Sequence, residues 1–398
     1  MATRRSTRGG ATGRGPSAYD HEALAMIAGE VRALCRQRVA VAASAWNEGH
    51  GAAQDLLPEL RTMGLLGVMA GEAIGGVDLG VRGLQAVLRE LGAADAGLGA
   101  LVAQHSLALA WAERLGLAAA VTTAATGSPR LCLVDGGGSG HLDDPAPAFA
   151  LRSGHLHGAA GVVLAGGGAD LAVVRAVDAD GGEALCVVDL RGAGATCTVA
   201  PPSIGLRSCT HVALALDAAT PLAVQPLVGR SAEVALLHGL ARLCAATLTC
   251  ATARASHHAA VRYSLERRQF GKPIATFQPI QWQTADSETE LTGAELLVFH
   301  AGAALHAAWS AGGPASGTPD ISGPALDAVD RASIAAFEAA RRATDRALQL
   351  HGGCGYTTDY GAERPYRDVY ALPLLGGSAI AARARVAARL AAVGARAG

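Results

Sequence analysis

A chain of 398 residues, half of them apolar, is long enough to bury a large core without metal or disulfide staples. Its formal net charge of −1 argues against a global pull toward nucleic acid or an anionic membrane. The eight cysteines (Cys35, Cys132, Cys186, Cys197, Cys209, Cys244, Cys250 and Cys354) form no Cys-x-x-Cys pair and no zinc spacing, so they read as reduced, mostly buried thiols of a cytoplasmic protein.

The basic, Gly- and Ser-rich start "MATRRSTRGGATGRGPSAY" has no apolar segment after Arg4 and Arg5. It is expected to be a disordered tail over residues 1–18 and not a twin-arginine signal. No apolar run approaches the ~18 residues of a membrane span. Residues 19–128 read as an N-terminal helical domain. Within it, Leu56, Leu57, Leu60, Met63 and Leu66 fall at helical spacing and predict one apolar stripe. "GEAIGGVDLG" reads as a turn-rich loop.

Residues 129–225 change character. "RLCLVDGGG", "AFALRSGHLHG", "DLAVVRAVDADGG", "EALCVVDLRG", "ATCTVAP" and "HVALALDAA" are short apolar runs punctuated by Gly, Asp or Pro. They predict a small β-barrel or sandwich domain. From 226 to 398 the pattern is helical again. One helix is expected to end at "SLERR", and a second to begin at "FQPIQ". The loop "GPASGTPDISG" precedes a third helix, with Leu326, Val329, Phe337 and Leu348 on its apolar face and Gly352 as its C-cap. A fourth follows "LLGGS". The set predicts an antiparallel four-helix bundle, and the chain as a whole an α+β fold of helical, β and helical parts.

Two stretches carry more than fold. "RRQFGKPIATFQPIQ" and "QLHGGCGYTTDYGAERPYRD" resemble, in order and spacing, the long motifs of the acyl-CoA dehydrogenase family. "ELRTMGLLG", "GGVDLG", "HSLALA" and "GLRSCTHVALALDAATPLAVQPLVG" are similar to further segments of that family, so the likeness covers most of the chain. The resemblance implies FAD, an acyl thioester on CoA or on an acyl-carrier protein, an oligomer and an electron-transfer acceptor. It implies that Arg267 makes a charge-assisted contact to a diphosphate belonging to the neighbouring subunit's FAD. Phe270 would lie on the adenosine side with Gln278 as a polar neighbour. Gln349, Gly352 and Gly353 would let backbone approach the same diphosphate. Ser378 stands where the family places a Thr near the flavin, and Arg242 matches an Arg near the substrate pocket. Without the resemblance, Arg267 would only complement a helix dipole and Arg242 would be a paired or solvated charge.

The chain also departs from the family. A carboxylate base is needed to take the thioester α-proton. Gly376 and Ala241 occupy the family's two base positions, so no catalytic residue is identified. Glu363 and Asp368 match positions that read as structural. Val134 and Asp135 stand for the Thr and Glu of a flavin-contacting stretch represented by "LVDGGGSG". Val162 and Leu164 replace a Trp and a Thr that stack on and bond to the flavin. Three readings follow. One is a flavin-dependent oxidoreductase using another base, or a reaction without α-proton abstraction. The second is a catalytically silent subunit that completes the FAD site of an active relative in a mixed oligomer. The third is a homomeric protein that binds no flavin and does something else, such as binding acyl thioesters.

Overall fold

The computed structural model describes residues 18–123, 129–136, 146–311 and 322–397. The basic tail to residue 17, most of the Gly-rich stretch after Asp135 and most of the "GPASGTPDISG" loop lie outside these.

The N-terminal part is helical: α1 (Ala18–Leu34), continued through one π turn into α2 (Ala40–Asn47), then α3 (Leu57–Thr62), α4 (Gly80–Ala94), α5 (Ala96–Arg114) and α6 (Ala118–Thr123). The stripe from Leu56 to Leu66 is not one helix. Gly64 takes a left-handed φ of 72° and ends α3, and a 3₁₀ turn over Leu65–Gly67 follows. Leu56, Leu60, Leu65 and Leu66 are still buried, because both pieces lie on the same core.

Eight strands form one sheet: β1 (Leu131–Val134), β2 (Phe149–Arg152), β3 (His155–Val163), β4 (Leu171–Val177), β5 (Glu183–Asp189), β6 (Ala195–Val199), β7 (Val212–Ala219) and β8 (Ala223–Pro226). The order is β6-β7-β3-β2-β4-β5-β8, with β1 beside β4. β1 and β2 run parallel to β4, and the other pairs are antiparallel. β4 and β5 are almost continuously buried because both faces are covered. Ala172, Val174 and Cys186 point into the sheet's own core, whereas Leu171, Val173, Leu185 and Val187 join the helical core. Strand β1 is also held by α5, whose His105 Nδ1 and Gln104 Oε1 accept the Leu131 and Leu133 N–H groups (3.0 and 3.3 Å).

The rest is α7 (Ser231–Glu266), a tight hairpin of β9 (Arg268–Gln269) and β10 (Lys272–Pro273), α8 (Gln278–Ser310), α9 (Ser322–Leu350), α10 (Glu363–Ala371) and α11 (Ala379–Ala397). The short helix α10 has no counterpart in the sequence reading. The buried face of α9 is Ala325, Val329, Ala332, Ala336, Ala339, Ala340, Ala343 and Ala347. Leu326, Phe337 and Leu348 are only half-buried. Alanines let α9 approach α7 and α8 closely, so the small residues take the core and the large ones its rim. Both α7 and α8 are long and apolar enough to cross a membrane by composition alone, contrary to the sequence reading. The apolar window of α7 is 83% buried within the bundle, as expected of a core helix.

One charge sits at the bundle's centre. Asp330 of α9 is fully buried and receives three guanidinium groups: Arg242 of α7 (3.0 Å), and Arg385 and Arg389 of α11 (2.9 and 2.7 Å). Removing the carboxylate charge would leave the three cations facing one another. Asp330→Asn is expected to lower stability by about 3–5 kcal/mol in urea denaturation. A loss under about 1 kcal/mol would show that α11 is not held through this residue.

Candidate functional site

The break at "RRQFGKP" is not a simple helix stop. Arg267 caps α7, its N–H bonded to the Tyr263 carbonyl (2.8 Å). The chain then turns through a two-residue hairpin in which Gln269 pairs with Lys272 and Arg268 with Pro273. Phe270 and Gly271 both have positive φ, 51° and 78°, the twist that fits a two-residue loop. Ile274 N–H closes the turn on the Arg267 carbonyl (2.8 Å). Phe270 is 93% exposed, its edge set against Phe277 at 6.2 Å. Lys272 lies 4.6 Å over the Phe277 ring. Arg267 and Gln278 are exposed, and no acidic side chain pairs with Arg267 among the described residues.

Gln349, Gly352 and Gly353, at the end of α9, are exposed at the same end of the bundle, where Tyr263 stacks on His351. Gly352 has a φ of 58° and needs to be glycine for that alone. Gly353 has no positive φ, and nothing lies within 4 Å of a Cβ built on it. No contact within the chain requires its bareness, which suits a group approaching from outside. Backbone, guanidinium and aromatic ring are thus presented together on one open surface. The donor set fits an anionic diphosphate with an attached flat base.

The inner cleft is the opposite. Gly376 follows α10 and lies against α7. A Cβ there would stand 2.6 Å from the Arg242 N and Cα and 2.7 Å from the Ala241 carbonyl carbon. A side chain at position 376 would therefore meet helix backbone. Ala241, which sequence analysis set at a second base position, is buried in the core. Arg242 is engaged with Asp330, and burial pushes its pKa down to about 10 against the pull of that carboxylate. The space beside it, between Thr249, Ser333, Phe337 and Pro373, holds only about 10 Å³. Ser378 Oγ accepts the Ala381 N–H (3.2 Å) and caps α11.

On the sheet side, Val134 and Leu164 are each 6% exposed, whereas Val162 is exposed, at 38%. Asp135 is clasped by His238 of α7 (2.6 Å) and Arg175 of β4 (2.7 Å). Burial works to raise the Asp135 pKa, but these two bonds hold it below the usual carboxylate range. His238 is itself packed edge-on to Trp111 (5.4 Å). This clasp ties β1 to α7, and sequence reasoning did not find it because its members are 40 and 103 residues apart.

A second buried set was also missed. Asp368 accepts the Leu206 N–H (2.6 Å), pinning Leu206 at a left-handed φ of 56°. Asp95 accepts from Ser208 (2.5 Å) and from Leu98 N–H, capping α5. Burial, against the Leu206 bond and aided by the Asp95 charge, pushes the Asp368 pKa up to about 7. Glu363 pairs with Arg367 (3.3 Å). Both carboxylates hold structure, as their motif positions suggested.

Comparison with known proteins decides the family. Residues 21–119 match the acyl-CoA dehydrogenase N-terminal domain and residues 234–391 its C-terminal domain. The chain belongs to the acyl-CoA dehydrogenase family. Over 149 residues it is 38% identical to 3-sulfinopropanoyl-CoA desulfinase of Paraburkholderia xenovorans, a stretch covering 37% of this chain and 34% of that one. The chain thus spans about a third of that relative's length. The Tcur3481–Tcur3483 steroid ACAD, in a variant form, superposes with a TM-score of 0.76 at 26% identity over 94% of this chain and 99% of that one. Glutaryl-CoA dehydrogenase of Mycobacterium smegmatis in complex with FADH2 has the same fold (TM-score 0.76, 19% identity, 93% and 94% covered). The acyl-CoA dehydrogenase family binds FAD. In this chain the face with Arg267, Gly352 and Gly353 is open to solvent, and Gly376 packs on the backbone of α7.

Two measurements check the geometry. Gly376→Ala is expected to cost about 1–3 kcal/mol by overpacking against α7. Gly376→Glu should then lower the melting temperature further and bring no acyl-CoA dehydrogenation. A Gly376→Glu protein as stable as the wild type would show that the loop lifts freely. For Asp368, the folded pKa lies above the unfolded value of ~3.9. The folded state therefore binds a proton that the unfolded state releases, and this contribution is full below ~pH 4 and falls as pH rises toward 7. Asp368→Asn keeps the acceptor oxygen and removes the charge. It should match the wild type near pH 4 and exceed it near pH 8 by on the order of 2–4 kcal/mol in urea titrations. A difference that does not change with pH would refute the assignment.

Proposed function

We propose that this chain is a subunit of a flavin-dependent oxidoreductase that acts on an acyl thioester, carried by CoA or a carrier protein. In that assembly it completes the FAD site of a related dehydrogenase subunit from outside and holds no flavin ring or base of its own. The observation that carries the reading is the contrast between two glycines. Gly353 is open to an incoming group, whereas Gly376 is sealed against α7.

Bound in the relative, FAD supplies the hydride acceptor. This chain's part is positioning. Arg267 sets a fixed positive fork against the diphosphate, and Phe270 offers a ring face to the adenosine. Gly352 and Gly353 allow their backbone to approach, with Gln278 and Gln349 as polar neighbours. Alpha-proton removal belongs to the partner, because neither Gly376 nor Ala241 can take a proton. The closed cleft likewise leaves the acyl chain to the partner.

The chain purified alone is expected to be colourless. Co-expressed with a family member that carries the base, it should co-purify as a yellow complex with about one flavin for every two chains. Arg267→Ala in this chain should weaken flavin retention in that complex about tenfold or more, the scale of a charge-assisted contact. A full complement of flavin on the chain alone would overturn the proposal and favour a self-sufficient flavoprotein.

A further inference from the structure

The open face is assembled from two separate chain ends. Arg267 and Phe270 follow α7, and Gly352 and Gly353 follow α9. Three rings join them. Tyr263, one turn before Arg267, lies on His351 with 4.4 Å between ring centroids and 29° between planes. Tyr360 meets Tyr263 edge-on at 5.6 Å and His351 at 6.1 Å. His351 is fixed by a 2.7 Å bond from its Nδ1 to the Ala347 carbonyl, so that nitrogen carries the proton. Beneath the rings lies a small core patch of its own, Ala260, Ala347 and Leu350, with Ile280 packed against it.

We propose that Tyr263, His351 and Tyr360 are positioning residues, a single stacked unit that sets the spacing between Arg267 and the Gly352–Gly353 backbone. The proposal rests on reading this face as one that takes a dinucleotide. A diphosphate bridging two chain ends is bound well only if both ends are already in place, and a slip of ~1 Å at either end forfeits a contact. The main core does not supply that rigidity here. Both ends lie past the last turns of their helices, in exposed turns, where backbone opening is easiest. The stack supplies it, because its members sit on both sides: Tyr263 on α7, and His351 and Tyr360 flanking the two glycines. Stacking carries more of this than hydrogen bonding. The Tyr263 hydroxyl reaches the His351 carbonyl only at 3.4 Å. On this proposal Phe at 263 is sufficient, even though the Tyr263 hydroxyl also meets Cys354, and this distinguishes ring packing from a polar role.

Amide hydrogen exchange on the full chain, without nucleotide, tests this independently of what the face binds. Tyr263→Ala is expected to speed exchange about tenfold or more in two segments at once. One is 267–274, closed by the Ile274 N–H. The other is 351–361, closed by the Gly361 N–H to the Thr358 carbonyl. Tyr263→Phe should exchange like the wild type. Faster exchange in only one segment, or a Phe variant that behaves like the Ala variant, overturns the proposal. Should Tyr263→Ala fail to fold, Tyr360→Ala removes only the half-exposed edge ring, and it should loosen both segments in the same direction. No change in either would overturn the proposal equally. ADP titration gives a second readout, with binding weaker in Tyr263→Ala and restored in Tyr263→Phe. If ADP binds none of the proteins, the dinucleotide reading of the face fails, while the exchange result still decides the positioning role.

Discussion

The contact between Gly376 and the backbone of α7 governs the rest. A loop that lies within Cβ distance of a helix leaves no room for a side chain at Gly376. Neighbouring features follow from it. Arg242, with the loop above it, turns to the buried Asp330. The two arginines of α11 complete that site, so the last helix is bound to the same point that closes the cleft. On the far wall, Asp135 meets His238 directly. Both carboxylates face cationic groups of the protein, as buried charges must.

Helix α7 carries both behaviours. Its 36 residues span about 54 Å at 1.5 Å per residue. Its first two-thirds are wrapped by α4, α5, α9 and the loop before α11, and its last turns emerge into solvent. Small residues (Ala245, Ala246, Ala251, Ala253) let the neighbours close around the inner length. Tyr263, Arg267 and the hairpin after it face outward. One rigid rod therefore links a sealed interior to an open end, and motion at one is felt at the other only through the helix's own stiffness.

What could be read from the sequence was local or motif-borne. The helix–sheet–helix order came from periodicity, and the family from two spaced motifs. The expectation that a base and flavin contacts are missing came from counting along those motifs. Three things were not legible. The stripe from Leu56 to Leu66 reads as one helix because burial sets its spacing, while the break is set by the backbone angle of Gly64. The face of α9 was assigned to its large residues because hydrophobic size is visible in a sequence, whereas close approach by alanines is not. The closed cleft depends on contacts between segments far apart, 103 residues for Asp135 and His238. An absent Glu can be read from one chain, but what fills its place cannot.

The energetics of Phe270 bear on why an open face persists. A non-glycine residue in the left-handed region costs roughly 1–2 kcal/mol, and a bare ring in water forgoes the gain of burial, about 25 cal/mol per Å² of apolar surface. Little of either cost is offset among the described residues, since Phe270 is 93% exposed and its ring meets the edge of Phe277. Tyr356, 94% exposed in the turn beyond Gly353, adds a second ring of the same kind. Two exposed aromatics, with an arginine that no acidic side chain pairs among the described residues, have the composition of an interface centre and not of free surface. Covering them would recover burial that the isolated fold leaves unused, and the left-handed turn would hold Phe270 outward with little further loss of freedom. The strain is then part of the recognition: it keeps the ring from folding back onto its own chain.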